Sequence, residues 1–562
     1  MQRNCEQRWD KKALITISAM LNKHGKGTIC LGINDNGDVV GMKDDYDDVS
    51  KLIAEKIMSQ IEPKIYPTIQ KIENGLNWYI EITFEGGETP YSADGRYFMR
   101  VGTTNRELTR AELSKMMRAE YTTSEQKSIA STNTVKRKGL LLGAGFSMEL
   151  GMPSAQEFSR AFYSFLTPNK LRIFADRMKA NEPYGSENPT CKNEYENIYN
   201  TVVRYRDEGN FNYEFLLREI RSMPYNGIDI QNFAEVQRTR DYFRNFLNSL
   251  INGMFRIFQA NTYSIFQANK EHYKFLLDSF CENETWVFSL NHDIIIEMLC
   301  IDLKIQLYMG DSKTLQFPFD NYFIEGNKPI RFGEIDNKES KLDSLNFAKG
   351  SKGINLIKLH GGLNEFIHDD EKKRLFFSII GYKSSEDYLK DICLFIDAPH
   401  YYIHGQPVKN SEIIVSDYDG VMQFLTPSIL SGDAKFSPAT HDGKGEPKMA
   451  QFSLGIENLD ELYIIGYGFG DPHINNRIVR AMHINPNMKI WTVDPFNSRP
   501  TLLDSFDYNL RVRGIHAKTT QAIYHLKTET WHTPDETETL DSVWEQRTKI
   551  YEHLYNIVFK RD

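Results

Sequence analysis

Five short apolar runs constrain this chain more than any other feature. They lie at residues 140–142, 286–290, 356–359, 461–465 and 489–493, and each ends in a polar or glycine-rich loop. Strands of a parallel sheet covered on both faces read this way. The expected fold is therefore α/β: a Rossmann-like parallel sheet over residues 138–500. Between the first two runs lies an aromatic-rich stretch of helical spacing, about 155–283, too long for one crossover helix. It predicts a helical insertion. Residues 501–562 read as a mostly helical extension, with Leu540, Val543, Trp544 and Ile550 marking a terminal helix over about 536–560.

The grammar before residue 119 is different. Leu14, Ile17, Met20 and Leu21 recur at helical spacing and predict a helix over 9–23. Residues 27–33 read as a strand that turns at Asn34-Asp35-Asn36-Gly37 and returns through Val39 and Val40 as a hairpin. A second hairpin is expected over 65–84, turning near Asn74-Gly75. A strand at 97–101 and a helix from about Thr109 complete a small α+β unit over 1–118. Residues 119–137, rich in Ser, Thr and charge, read as a linker.

Composition narrows the function classes. The 67 basic and 76 acidic side chains leave a net charge of −9, a poor match to a general nucleic-acid coat. Hydrophobic residues at 40 % exclude a largely disordered chain. No run approaches the roughly 20 apolar residues that cross a bilayer, and residues 1–12 are polar, without an apolar signal core. The six cysteines never form a C-x-x-C pair. These features predict a cytoplasmic protein with reduced thiols and no membrane partner.

The chemistry-bearing residues follow the apolar runs. Gly143-Ala144-Gly145-Phe146-Ser147 follows the first, a turn that exposes backbone amides where a diphosphate can sit. Ser289-Leu290-Asn291-His292-Asp293 follows the second, and Lys358-Leu359-His360-Gly361-Gly362 the third. Gly466-Tyr467-Gly468-Phe469-Gly470-Asp471 and Asp494-Pro495 follow the last two. Loops at the carboxyl ends of parallel strands converge on one crevice. Asp471 and His473 read as the start of a helix and stay outside the catalytic set.

With Gly151-Met152-Pro153-Ser154 and Thr426-Pro427-Ser428, this ordered set resembles the sirtuin superfamily. The likeness is greatest to its bacterial sirtuin-like, NAD-cleaving branch found in anti-phage defence proteins. The resemblance implies that Gly143, Ala144, Gly145 and Ser147 hold the NAD diphosphate. It implies Asn291 and His360 as catalytic residues, positioning water and acting as base or ribose partner. It further implies that Asp293 orients the nicotinamide amide, that Gly466 and Tyr467 face the adenosine ribose, and that Asp494 lies near the adenine. Lysine-deacylating sirtuins carry a four-cysteine zinc module. Here Cys281 and Cys300, the nearest two, stand 19 residues apart, so no metal is expected and water is the expected acceptor. NAD is then a substrate and no cofactor is implied.

Residues 27–37 with Gly41, and Tyr97-Phe98-Met99-Arg100-Val101-Gly102-Thr103-Thr104-Asn105, resemble the Schlafen AlbA-type domain, a family linked to nucleic-acid binding and in some members to RNA cleavage. The family's leading strand, with its acidic residue and lysine, is largely missing before Trp9. Residues 1–118 balance 17 basic against 17 acidic side chains, though Arg96, Arg100, Arg106 and Arg110 offer a local basic face. Regulation or assembly is the expected role. The leading expectation is an NAD hydrolase, a toxic anti-phage effector releasing nicotinamide and ADP-ribose. A nucleic-acid-binding NAD sensor and an ADP-ribosyl transferase or cyclase are the alternatives. Expected partners are further copies of the chain, and a nucleic acid, a phage-derived trigger or a partner protein.

Overall fold

The computed structural model describes most of residues 3–109 and 136–559; the longest stretches outside it are 117–135, 181–188, 224–232, 318–329 and 429–445. The expected helix from Thr109 and the linker up to residue 135 lie largely outside the described residues.

Helix Arg3–His24 opens the N-terminal unit and packs mainly on strand Arg96–Val101 and also on Lys26–Leu31; Lys26–Leu31, Asn77–Glu85 and Thr68–Asn74 form an antiparallel sheet in that order. The hairpin at Asn74 forms as expected, with Asn74 opposite Asn77. The return through Val39 is short: Val39 bridges Ile33 antiparallel and the Val40 amide donates to the Gly32 carbonyl, with residues 34–38 outside the described residues. Lys26–Leu31 itself pairs along its length with Asn77–Glu85. Helix Tyr46–Gln60, absent from the sequence reading, adds Ile53 and Ile57 to a core of Leu14, Ile17, Leu21, Ile80, Ile82 and Phe84.

The second unit is built on seven parallel strands, numbered here in chain order: β1 (Lys138–Leu142), β2 (Glu284–Ser289), β3 (Leu307–Tyr308), β4 (Gly353–Lys358), β5 (Glu461–Ile465), β6 (Lys489–Val493) and β7 (Val512–Ile515). They lie in the order β3-β4-β2-β1-β5-β6-β7, all parallel, a Rossmann-like arrangement. From β1 the chain passes to β2 and the edge strand β3, returns to β4 between those two, then crosses to β5 and winds outward on the other side. The winding reverses between β1 and β5, where open α/β sheets form their ligand crevice. Every residue of β4 and of β5 is buried, the polar Asn355, Lys358 and Glu461 included, which explains their largely apolar character. The sheet takes its last strand, β7, from residues beyond 500.

Helices from Ala155–Phe165 to Tyr263–Phe280 fill the predicted insertion between β1 and β2. Phe158, Phe162, Leu217, Phe243, Leu247 and Phe258 form their shared core. Unanticipated is a six-stranded antiparallel sheet, made of Lys313–Phe317, Ile330–Asp336, Lys373–Phe377, Glu365–His368, Met422–Pro427 and Ile413–Ser416. Its strands are short and Glu365–His368 finds a partner far along the chain, so no local pattern announced it.

Candidate functional site

The strand register sets up the site. Lys358, Ser289, Leu142, Ile465, Val493 and Ile515 are successive Cα partners in one row across β4, β2, β1, β5, β6 and β7. All run in the same direction, so the chain leaves this row on one side of the sheet. His360, Asn291, Gly143, Gly466 and Asp494 each stand one or two residues past it. The first residue of each loop still donates to the neighbouring strand: Leu359 to Ser289, Leu290 to Leu142, Gly143 to Ile465, Gly466 to Val493 and Asp494 to Ile515. The loops therefore leave the sheet already in register.

At the centre, two glycine loops touch through their backbones. A Cβ on Gly145 would lie 2.7 Å from the Gly466 Cα, and one on Gly143 would overlap the Gly466 carbonyl. Gly466 itself has φ +64° and no room for a side chain beside Phe146. The Gly145 amide donates to the Gly466 carbonyl at 3.0 Å. The resemblance assigned Gly143 and Gly145 to a diphosphate and Gly466 to the adenosine ribose; close loop packing is a second and sufficient reason for all three. From the insertion, the Tyr273 hydroxyl donates to the Phe146 carbonyl and the Asn269 amide to the Glu149 carbonyl, fixing the turn from behind.

Ser147 is buried between two of the predicted residues. The Asn291 amide nitrogen donates to the Gly143 carbonyl at 2.9 Å and to the Ser147 hydroxyl oxygen at 3.1 Å. Both bonds use Nδ2, so Oδ1 is the atom left for accepting a hydrogen bond. The Ser147 hydroxyl also favours the ionised form of the Asp293 carboxyl. Burial raises the Asp293 carboxyl above its ordinary range, against the opposing pull of the Lys358 charge, the Ile295 amide and Ser147.

His360 is buried at the far side of this group. Its Nε2 lies 3.1 Å from Asp471 Oδ2, and its ring is 6.5 Å from that of His292. The loop after β5 thus reaches across the ends of β1 and β2 to the loop after β4. Phe469, within that loop, has φ +56°, a left-handed conformation uncommon in a non-glycine residue. Behind His360, Lys358 is fully buried, donating to the Asp293 carbonyl and to Glu297 Oε1 at 3.1 Å. Gly361, φ +74°, packs on the Ser428 backbone. Tyr467 turns inward, its hydroxyl meeting Asn475 Oδ1 at 3.0 Å. Asp494 accepts from the Phe496 amide at 2.7 Å, and the Phe496 side chain is 93 % exposed.

Asp293, His360, Asn291, Ser147 and the glycines are therefore brought together. Tyr467 is committed to its own loop and the next helix. Sequence reasoning missed Lys358 and the partnership of Asp471 with His360. An Asp before a Pro signals a helix start, and nothing local says what else the carboxylate faces. Among the described residues no group of three or more His, Cys, Asp or Glu is placed to hold a metal, and no helix is long and apolar enough to cross a membrane. A cavity of about 500 Å³ opens at the opposite, amino-end edge of the sheet, lined by Lys136, Arg137, Trp286, Phe347, Leu454 and Leu459 among others.

Residues 2–109 match the family model described as Schlafen, AlbA_2, so a Schlafen AlbA-type domain occupies the N-terminus, as its motifs implied. No curated protein matches the chain. Among solved structures it is similar to the DIP2311 protein from Corynebacterium diphtheriae, at 20 % identity over 29 % of this chain and 31 % of that chain, with a TM-score of 0.18. The chain thus spans under a third of the length of that protein.

Proposed function

We propose that the parallel-sheet unit is a sirtuin-like NAD hydrolase. The observation that carries this reading is the registered row. It puts the polar residues His360 and Asn291 on one side of the Gly143 turn, and Gly466 and Asp494 on the other. At the usual strand spacing of about 4.8 Å, the distance from β4 to β6 is about 19 Å, enough for an extended dinucleotide. The nicotinamide half would lie over β2 and β4, the diphosphate at the Gly143 turn, and the adenosine towards β5 and β6.

In this reading the bond between ribose C1′ and the nicotinamide nitrogen breaks, its electron pair leaving with nicotinamide. Asn291 Oδ1, aimed by the two bonds of its own amide nitrogen, orients a water molecule. That water adds at C1′ and gives a proton to His360. Asp293 would meet the carboxamide of nicotinamide. The products are nicotinamide and ADP-ribose, and orientation with general base help supplies the acceleration.

The N-terminal domain fits control better than cleavage. Arg96 is paired with Glu107, and Arg106 with Glu112, so part of its basic face is neutralised in place. Tyr97 and Leu108 pack against Val479 and Ile484 of helix Pro472–Ile484, the helix that begins at Asp471. Incubating the purified full-length chain with NAD, with and without RNA or DNA, tests the reading. Equal release of nicotinamide and ADP-ribose is the expected result. Intact NAD under every condition rejects hydrolysis, and a cyclic or protein-linked product replaces it with cyclisation or transfer.

A further inference from the structure

We infer that Asp471 is a positioning residue that sets the tautomer of His360, a role that rests on the NAD-cleaving reading only for its catalytic consequence. Asp471 has two jobs on its two oxygens. Oδ1 accepts from the amides of His473 at 3.0 Å and Ile474 at 3.4 Å, capping helix Pro472–Ile484. Oδ2 faces His360 Nε2 at 3.1 Å. Both residues are buried.

The cap makes the arrangement directional. A carboxylate accepts hydrogen bonds and cannot donate them, so the imidazole nitrogen facing it must carry the hydrogen. His360 is thereby held as the Nε2–H tautomer, and the lone pair that can take a proton is on Nδ1. When the ring accepts a proton, the carboxylate stabilises the resulting charge. An acid paired with a base in this way orients it without reacting itself. The same geometry ties the base to helix Pro472–Ile484, on which the N-terminal domain rests.

Two substitutions that both keep the cap separate this role from a structural one. In Asp471→Asn, the amides of residues 473 and 474 still need an acceptor, so Oδ1 must stay on the helix. The side-chain NH₂ then points at His360 Nε2 and demands the opposite tautomer. In Asp471→Ser, the hydroxyl caps equally well but is too short to reach the ring, leaving it without an imposed tautomer. A merely structural role would make Asn, the near-isostere, the milder change. The positioning role makes it the harsher one.

The full-length chain, labelled with ¹⁵N-histidine, gives a readout independent of turnover, with the His360 signal identified by its loss in His360→Gln. The expected result is an Nε2–H pattern in the parent and an Nδ1–H pattern in Asp471→Asn, with both variants melting close to the parent. For NAD breakdown, kcat should fall by about 10²–10⁴-fold in Asp471→Asn. It should fall less in Asp471→Ser, and KM should stay within about twofold in both. An unchanged His360 tautomer in Asp471→Asn overturns the inference, as does full kcat in that variant. A parent that leaves NAD intact rejects the hydrolase reading, and the tautomer pattern still decides the role of Asp471.

Discussion

The two edges of the seven-stranded sheet differ in a way that volume alone would misjudge. The amino-end edge holds the roomy cavity beside Trp286 and Leu454. The carboxyl-end edge carries loops bonded to one another through Asn291, Ser147, His360 and Asp471. Empty space marks where packing stops; chemistry collects where polar groups have been drawn out of water and held by partners. Parallel strands add a second reason. All their outgoing loops share one edge, so that edge alone receives side chains from distant parts of the chain.

The strongest test of this contrast is to remove the polar groups of the carboxyl-end edge. Asn291→Ala or His360→Ala should cut nicotinamide release by about 10²–10⁴-fold while circular dichroism stays unchanged. Near-parental turnover in both would break the comparison.

Next in size is a paired glycine experiment. Gly466 and Gly350 both have positive φ, +64° and +68°, but only Gly466 lacks room for a Cβ. Gly350→Ala should cost about 1 kcal/mol, from backbone strain alone. Gly466→Ala should cost about 1–3 kcal/mol more, from overpacking against the Gly145 turn, and should lower NAD turnover with it. Equal losses in denaturant melts would mean that the glycine loops do not need their close contact.

Asp293→Asn should act on stability more gently and in a pH-dependent way. The raised carboxyl of Asp293 means that the folded chain holds its proton more tightly than the unfolded chain does. That stabilising contribution is present at acid pH, below the unfolded value, and is lost as pH rises through the raised folded one. The asparagine variant has no such titration. Thermal melts from acid to neutral pH should therefore show it gaining on the parent as pH rises, while nicotinamide release falls. A constant difference across that range would contradict the linkage.

The smallest effect belongs to the other edge. Leu454, 42 % exposed beside the cavity, should tolerate Leu454→Asn within about 0.5 kcal/mol. NAD turnover should stay within about twofold. A large loss of activity would give the amino-end edge a function that its chemistry does not suggest.

Much of the fold was legible because buried parallel strands are locally distinctive. The runs at 461–465 and 489–493 matched β5 and β6 to the residue. The edge strands β3 and β7 were not, since two to four residues at a sheet edge carry little pattern. The antiparallel sheet escaped for a related reason. It braces the His360 loop through Gly361 against Ser428 and through the buried Glu365–Lys448 pair, contacts between segments far apart in sequence. At the site, the loops and their polar residues were readable, whereas Lys358 passed as part of its strand and Asp471 as the start of a helix.

The sequence by itself determined the element types of the central strands and the helical insertion: helix periodicity, largely apolar strands and turn glycines express forces acting within a few residues. Only the tertiary structure decided which loops meet. The register of Lys358, Ser289, Leu142, Ile465 and Val493 brings together residues separated by more than half the chain. The partner of His360 was settled by a helix cap 111 residues away. Pairings of that kind depend on the geometry of the whole sheet, and a local pattern carries no trace of them.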